Sequence, residues 1–253
     1  MMRIFGLIGY PLEHSFSPAY FRQKFENEKV TDAEYTLFPL ESIHQFPDVL
    51  SSLPNLSGLN VTAPYKVSVI PFLDGLDAHA SEIGSVNTIL VKREGQHRTT
   101  MGFNTDWLGF DLCLRRFMPE PPTNVLILGT GGAAKAVAYA LLQRKIPFQL
   151  VSRTPGDDRL SYHDLNEEML RDVPLIVNAT PLGMAPHADE TPPLPFEALS
   201  ERNAVMDLIY NPSETLLMQE ARRRGARVCN GLSMLMGQAD ESWRIWNAPI
   251  IER

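Results

Sequence analysis

The chain has 253 residues, 44% hydrophobic and 21% charged, an ordinary globular composition with length enough for two domains of roughly 100 to 150 residues. Its formal net charge of −7 argues against nucleic acid or an anionic membrane as partner, since either needs a basic face. Cys113 and Cys229 stand far apart and in no metal-type spacing, so we expect reduced thiols, a cytoplasmic location, no disulfide framework and no metal site.

The opening "MMRIFGLIGYPLEHS" is a short apolar run that Pro11 and Glu13 interrupt. It reads as a first strand, not a signal peptide. No uninterrupted apolar run reaches the ~18 residues of a membrane span. In chain order, strands are expected at 3–8, 34–38, 58–61, 88–91, 124–128, 148–152, 175–178, 204–209 and 227–229. Helices are expected at 18–28, 42–52, 78–83, 105–117, 133–144, 213–224 and 233–247. Such alternation predicts an α/β protein with largely parallel sheets. The strongest boundary signal is "FMPEPPTNVLILG", where Pro119, Pro121 and Pro122 precede a very apolar strand. The last helix is too short to be a domain and must pack on something earlier. Its Leu232, Leu235, Met236, Ala239, Trp243 and Trp246 favour one side.

Four stretches carry chemistry. In "EHSFSPAYF", Ser17-Pro18 fits an N-cap followed by a first helical proline. Ser15 is explained less well that way, and two hydroxyls beside a helix N-terminus make a seat for a carboxylate. His14 is assigned no role. In "GLNVTAPYK", Leu59 and Val61 look like core, while Asn60 and Thr62 alternate with them across the pleat and Lys66 follows a Pro-Tyr turn. In "GFNTDWLGF", Asp106 opens a helix. It either complements the helix dipole, with Asn104 or Thr105 capping, or meets Lys66, whose ammonium then donates a proton to a ketone as hydride arrives.

The fourth stretch, "NVLILGTGGAAKAVAYALL", is a buried strand, a tight turn and a helix. Gly129, Gly131 and Ala134 fit the G-x-G-x-x-[GA] spacing of a dinucleotide site. The first glycine makes the turn, the second admits a pyrophosphate and the small third residue lets helix and strand pack. The alternative is a glycine turn in an ordinary βα unit. The next strand ends in Ser152, Arg153 and Thr154 with no acid to hold a ribose 2′-hydroxyl, and the arginine suits a 2′-phosphate, which favours NADP(H). The alternative for Arg153 is a solvated loop cation.

With "HSFSP", "NVTAPYK", "GSVNT", "GFNTD", "GTGGAA", "SRT", "NATPLGM", "DLIYNP" and "GLSMLMGQA" in this order, the chain resembles the shikimate dehydrogenases nearly end to end. The resemblance implies NADPH-dependent, reversible reduction of 3-dehydroshikimate to shikimate in aromatic amino-acid (chorismate) biosynthesis. It implies Lys66 and Asp106 as catalytic residues, with Ser15 and Ser17 on the substrate carboxylate. Asn60, Thr62, Asn87 and Gln238 would hold ring hydroxyls, although Gln238 could instead be a buried amide bonded to backbone. Gly129, Gly131, Gly132, Ala133 and Ala134 would form the cofactor turn, and Ser152, Arg153 and Thr154 the adenosine end. Thr180 would lie near the cofactor, Leu208 and Tyr210 would line the nicotinamide pocket with Tyr210 also beside the substrate, and Gly231 would approach the nicotinamide amide.

Thr130 and Leu208 depart from the common alanine and methionine of the family, and Asp157 and Asp158 weaken the case for a phosphate pocket. The implied architecture is a substrate domain over 1–104, to which 232–253 returns, and a Rossmann-like NADP-binding domain over 105–231. The partner is a small-molecule substrate, and the state is monomer or homodimer. Quinate/shikimate dehydrogenases with broader substrate or NAD use, and a noncatalytic NADP-binding sensor, are the other readings.

Overall fold

The computed structural model describes residues 2–95 and 97–248. Positions 249–253 of the segment expected to return to the first domain lie outside the described residues. The chain divides into two units, Met1–Thr105 with Ala239–Arg253, and Asp106–Gln238. The second division falls inside the last helix, seven positions later than the sequence suggests.

The first unit contains β1 (Arg3–Gly9), α1 (Ser17–Glu28), β2 (Ala33–Pro39), α2 (Phe46–Ser52), β3 (Leu56–Val61), β4 (Gly75–Leu76), α3 (Ala78–Ile83), β5 (Thr88–Glu94) and β6 (His97–Phe103). Its sheet has the order β2-β1-β3-β5-β6-β4. β1 runs parallel to β2 and β3, but β5 is antiparallel to both β3 and β6. The sheet is therefore mixed. β6 was not expected because "HRTTMGF" has no apolar alternation. It forms because it pairs with β5 along its whole length, from Thr88↔Phe103 to Glu94↔His97. One sheet face packs Ile8, Phe46, Leu59, Val61 and Ile89 into a core. The other packs Phe5, Phe21 and Phe25 against Ala239, Ile245 and Trp246.

The second unit contains α4 (Asp106–Phe117), β7 (Val125–Leu128), α5 (Gly132–Gln143), β8 (Phe148–Ser152), β9 (Arg159–Ser161), α6 (Glu167–Arg171), β10 (Leu175–Asn178), β11 (Ala204–Asp207), α7 (Leu216–Arg223) and β12 (Arg227–Cys229). Its strands lie in the order β12-β11-β10-β7-β8-β9, all parallel. Each β7 residue is buried because helices cover both faces. Val125 and Ile127 point into one core, Leu126 and Leu128 into the other. Cys113 and Cys229 pack in the first of these, both free thiols, one hydrogen-bonded to the other. The short β9 and α6 escaped the sequence patterns.

The final helix, α8 (Leu232–Asn247), belongs to both units. The single apolar side expected of it is not what the fold uses: Leu232 and Met236 are exposed, while Met234 and Ile245 are buried. Met234 joins the second unit's core and Trp246 the first's. A helix that packs on different neighbours along its length cannot carry one stripe. No helix among the described residues is long and apolar enough to cross a membrane.

Candidate active site

In the first unit, β1 and β3 end side by side. Thr62 N–H donates to the Ile8 carbonyl at 2.9 Å and Tyr10 N–H to the Ala63 carbonyl at 3.2 Å. A Cβ on Gly9 would lie 2.4 Å from Thr62 Cγ2, so only glycine allows the approach. The chain then turns, with Tyr65 N–H on the Thr62 carbonyl at 2.9 Å, and reaches a half-buried Lys66. The Lys66 carbonyl accepts from Val86 N–H at 2.7 Å, which fixes the lysine backbone beside Asn87.

A connected set of polar side chains lies in the same unit. Ser15 Oγ accepts from Ser17 N–H at 3.3 Å. Ser17 is not the N-cap expected: Phe16 holds that position with no side-chain cap, and Ser17 is the first residue of α1. Its hydroxyl is bonded to the Tyr35 phenol. Tyr35 in turn donates to Asn60 Oδ1 at 2.8 Å. Burial pushes the Tyr35 phenol well above its usual range, and the Ser17 bond opposes part of that shift. Asn60, 4% exposed, donates from Nδ2 to Ser242 Oγ at 2.9 Å and to Thr88 Oγ1 at 3.3 Å. Asn87 Oδ1 accepts from Thr105 N–H at 2.6 Å, and Asn87 Nδ2 donates to Thr105 Oγ1 at 2.9 Å. Thr105 is thus pinned by Asn87, just before Asp106 in the chain. Asn104 donates to the Ser85 carbonyl at 2.9 Å.

The second unit carries its own set of candidate residues. Gly129 has φ +106°, and a Cβ there would meet the Ala179 carbonyl oxygen at 3.1 Å, so the tight turn requires glycine. Gly131 precedes α5 in extended conformation, and a Cβ there would meet nothing within 4 Å. That open space above a helix start fits a pyrophosphate. Gly132 and Ala133 form the first turn of α5, and Ala134 is fully buried against the sheet. β7 and β10 are neighbours from which the chain runs on in opposite directions, the switch point where open α/β sheets bind ligands.

Thr180 sits at that point. Its N–H and hydroxyl donate to Asn178 Oδ1 at 3.0 and 2.7 Å. Asn178 Nδ2 donates to Asp207 Oδ1 at 3.0 Å, and Thr215 Oγ1 to Asp207 Oδ2 at 2.6 Å. Burial raises the Asp207 carboxyl pKa, and these donors oppose the shift. Leu208 and Tyr210 follow, both half-buried. A Cβ on Gly231 would lie 2.0 Å from the Leu208 carbonyl oxygen. Arg153 leaves the end of β8, exposed and with no carboxylate partner among the described residues. Thr154 N–H donates to Ser152 Oγ at 3.3 Å. Of the neighbouring acids, Asp158 is paired with Arg159 at 2.9 Å, and Asp157 is exposed.

Asp106, 5% exposed, opens α4. Gln238, 8% exposed, donates to the Leu235 carbonyl at 3.0 Å. Tyr35, Ser242 and Thr215 were not singled out in the sequence, and Thr88 was legible only as a member of "GSVNT". Asn178 and Asp207 were legible only as members of "NATPLGM" and "DLIYNP".

Comparison with known proteins places this geometry. The model of the shikimate dehydrogenase substrate binding domain matches residues 7–89. The shikimate dehydrogenase (NADP(+)) of Pyrococcus abyssi is 38% identical, over 97% of this chain and 92% of its own. The shikimate 5-dehydrogenase of Thermus thermophilus, solved in complex with NADP(H) and shikimate, superimposes with TM-score 0.84 at 31% identity, covering 99% of this chain and 95% of that one. The quinate dehydrogenase of Corynebacterium glutamicum, solved in complex with NAD, superimposes with TM-score 0.83 at 26% identity, over 98% and 94%.

Proposed function

The chain belongs to the shikimate dehydrogenase family, and from that premise we propose that it reduces 3-dehydroshikimate reversibly to shikimate with NADPH, for aromatic amino-acid biosynthesis. The observation that carries the reading at residue level is the polar path from Ser17 through Tyr35 to Asn60, which ties residues of two separated motifs together. Bound NADPH supplies the hydride. Met1–Thr105 with Ala239–Arg253 is then the substrate unit, and Asp106–Gln238 the cofactor unit.

In this reading Ser15 and Ser17 hold the carboxylate. Asn60, Thr62, Asn87 and Gln238 act on ring hydroxyls. Lys66 gives its ammonium proton to the oxygen that becomes the alcohol, and takes it back in the oxidation direction, directly or through a water. Asp106 binds a hydroxyl and orients the lysine. Gly129, Gly131, Gly132, Ala133 and Ala134 hold the pyrophosphate end, Ser152, Arg153 and Thr154 the 2′-phosphate. Thr180, Leu208, Tyr210 and Gly231 line the nicotinamide end. A cytoplasmic location and a monomer or homodimer complete the reading.

The test is absorbance of the reduced nicotinamide with shikimate and quinate crossed against NADP and NAD. We expect shikimate with NADP to give by far the highest kcat/KM. A second reading, with quinate or NAD accepted comparably, is favoured by Asp157 and Asp158 near Arg153 in the chain, and equal rates with NAD would select it. No turnover in any combination would end the enzyme reading.

A further inference from the structure

Beside Arg153 lies a cavity of about 590 Å³, lined by Arg153, Tyr162, His163, Pro193, Leu194 and Pro195 among others. Its location follows from register. β8 and β9 are parallel neighbours with Ser152 opposite Ser161. Arg153 and Tyr162, the next residue of each strand, therefore leave the same sheet edge side by side, and the Arg153 charge acts on the Tyr162 phenol. This is also the edge of the glycine turn, since Gly129 N–H donates to the Val151 carbonyl of β8 at 2.8 Å.

The walls divide by chemistry. Tyr162, Pro193, Leu194 and Pro195 offer flat or apolar surface, while Arg153 and exposed His163 offer donors. Two of the three acids nearby are occupied, and Asp157 is exposed. Asp164 accepts from Ser161 N–H at 2.7 Å and Ser161 Oγ at 2.8 Å, and Asp158 is held by Arg159.

We propose that this cavity seats the adenosine 2′-phosphate end of the cofactor, with His163 as a second phosphate donor beside Arg153 and the Tyr162 ring as the surface on which the purine lies. The inference deepens the NADP reading above and rests on it. The imidazole N–H and the guanidinium would grip the phosphate from adjacent strand ends, which discriminates against a cofactor lacking it. Base stacking on an aromatic ring is indifferent to that phosphate. The two roles therefore separate in binding.

The experiment is calorimetric titration of the full chain with adenosine 2′,5′-bisphosphate and with adenosine 5′-monophosphate, which differ only in the 2′-phosphate. His163→Ala should weaken the bisphosphate roughly tenfold, the scale of one lost hydrogen bond to a charged group, and leave the monophosphate within about twofold. His163→Lys should restore the preference, which a merely structural histidine would not do. Tyr162→Leu, which keeps an apolar side chain against the core, should weaken both ligands alike. If wild type prefers the bisphosphate, yet His163→Ala binds it unchanged or loses both ligands equally, the inference fails while the NADP reading stands. The same holds if Tyr162→Leu binds both as wild type does. If wild type itself does not distinguish the ligands, both fall.

Discussion

Tyr35 joins two residues that the sequence marks separately. Its phenol is bonded to Ser17 and donates to Asn60. Tyr35→Phe removes both bonds and leaves the buried Asn60 oxygen short of a donor, which costs about 1–3 kcal/mol of stability. We expect the substrate KM to rise, because Ser17 and Asn60 lose their common anchor, while the NADPH KM stays within about twofold. Steady-state kinetics and a melting curve on one preparation check both; a shift in the NADPH KM as large as that for substrate would refute a role confined to the first unit. Lys66 carries the opposite kind of prediction. Lys66→Ala leaves the backbone bond to Val86 in place and removes the proposed proton donor, so turnover at saturating substrate should fall about 10²- to 10⁴-fold. Turnover within a factor of a few of wild type would take the proton-transfer role from the lysine.

At the scale of elements, the glycine turn after β7 distinguishes fold from function. Gly129 has positive φ and a carbonyl oxygen 3.1 Å from any Cβ, so Gly129→Ala should destabilise by roughly 2–3 kcal/mol. Gly131 has neither constraint. Gly131→Ala should leave the melting temperature nearly unchanged yet weaken NADP binding, read by quenching of intrinsic fluorescence. The reverse pattern would mean that Gly131 serves packing and the open space serves nothing. The strand–turn–helix was legible because every β7 residue is apolar and the turn needs glycine for backbone reasons. β6 was not, because "HRTTMGF" owes its strand to pairing with β5 rather than to its own pattern. Ser17 was read as a cap because serine before proline usually is one. The competing partner, Tyr35, lies on a distant strand that local spacing does not report. Ser242 was invisible for a related reason: helix spacing does not report a distant strand, and only the fold shows that its hydroxyl meets Thr88 at 2.7 Å.

At the scale of the whole molecule, the division between units runs through α8. Its second half is bound firmly into the first unit. Trp246 stacks on Phe5 at 4.8 Å and donates from Nε1 to the Ile89 carbonyl at 3.0 Å. Gly58 makes room for it, since a Cβ there would lie 2.3 Å from Trp246 Nε1. Tyr20 and Lys24 of α1 both reach Asp240, at 2.6 and 2.7 Å. The first unit is therefore completed by residues that follow the second unit in the chain. Trp246→Ala opens a cavity between α8 and the sheet and should cost about 3–5 kcal/mol. The loss should be confined. Native-state hydrogen exchange should accelerate on the order of 10²-fold or more for slow amides of β1 and β3, because local stability sets that rate. Amides of β7 and β10 should keep their protection, and adenosine 2′,5′-bisphosphate should bind as to wild type, because no group of the second unit's core is touched. Equal acceleration in both sheets would mean that the units unfold as one body.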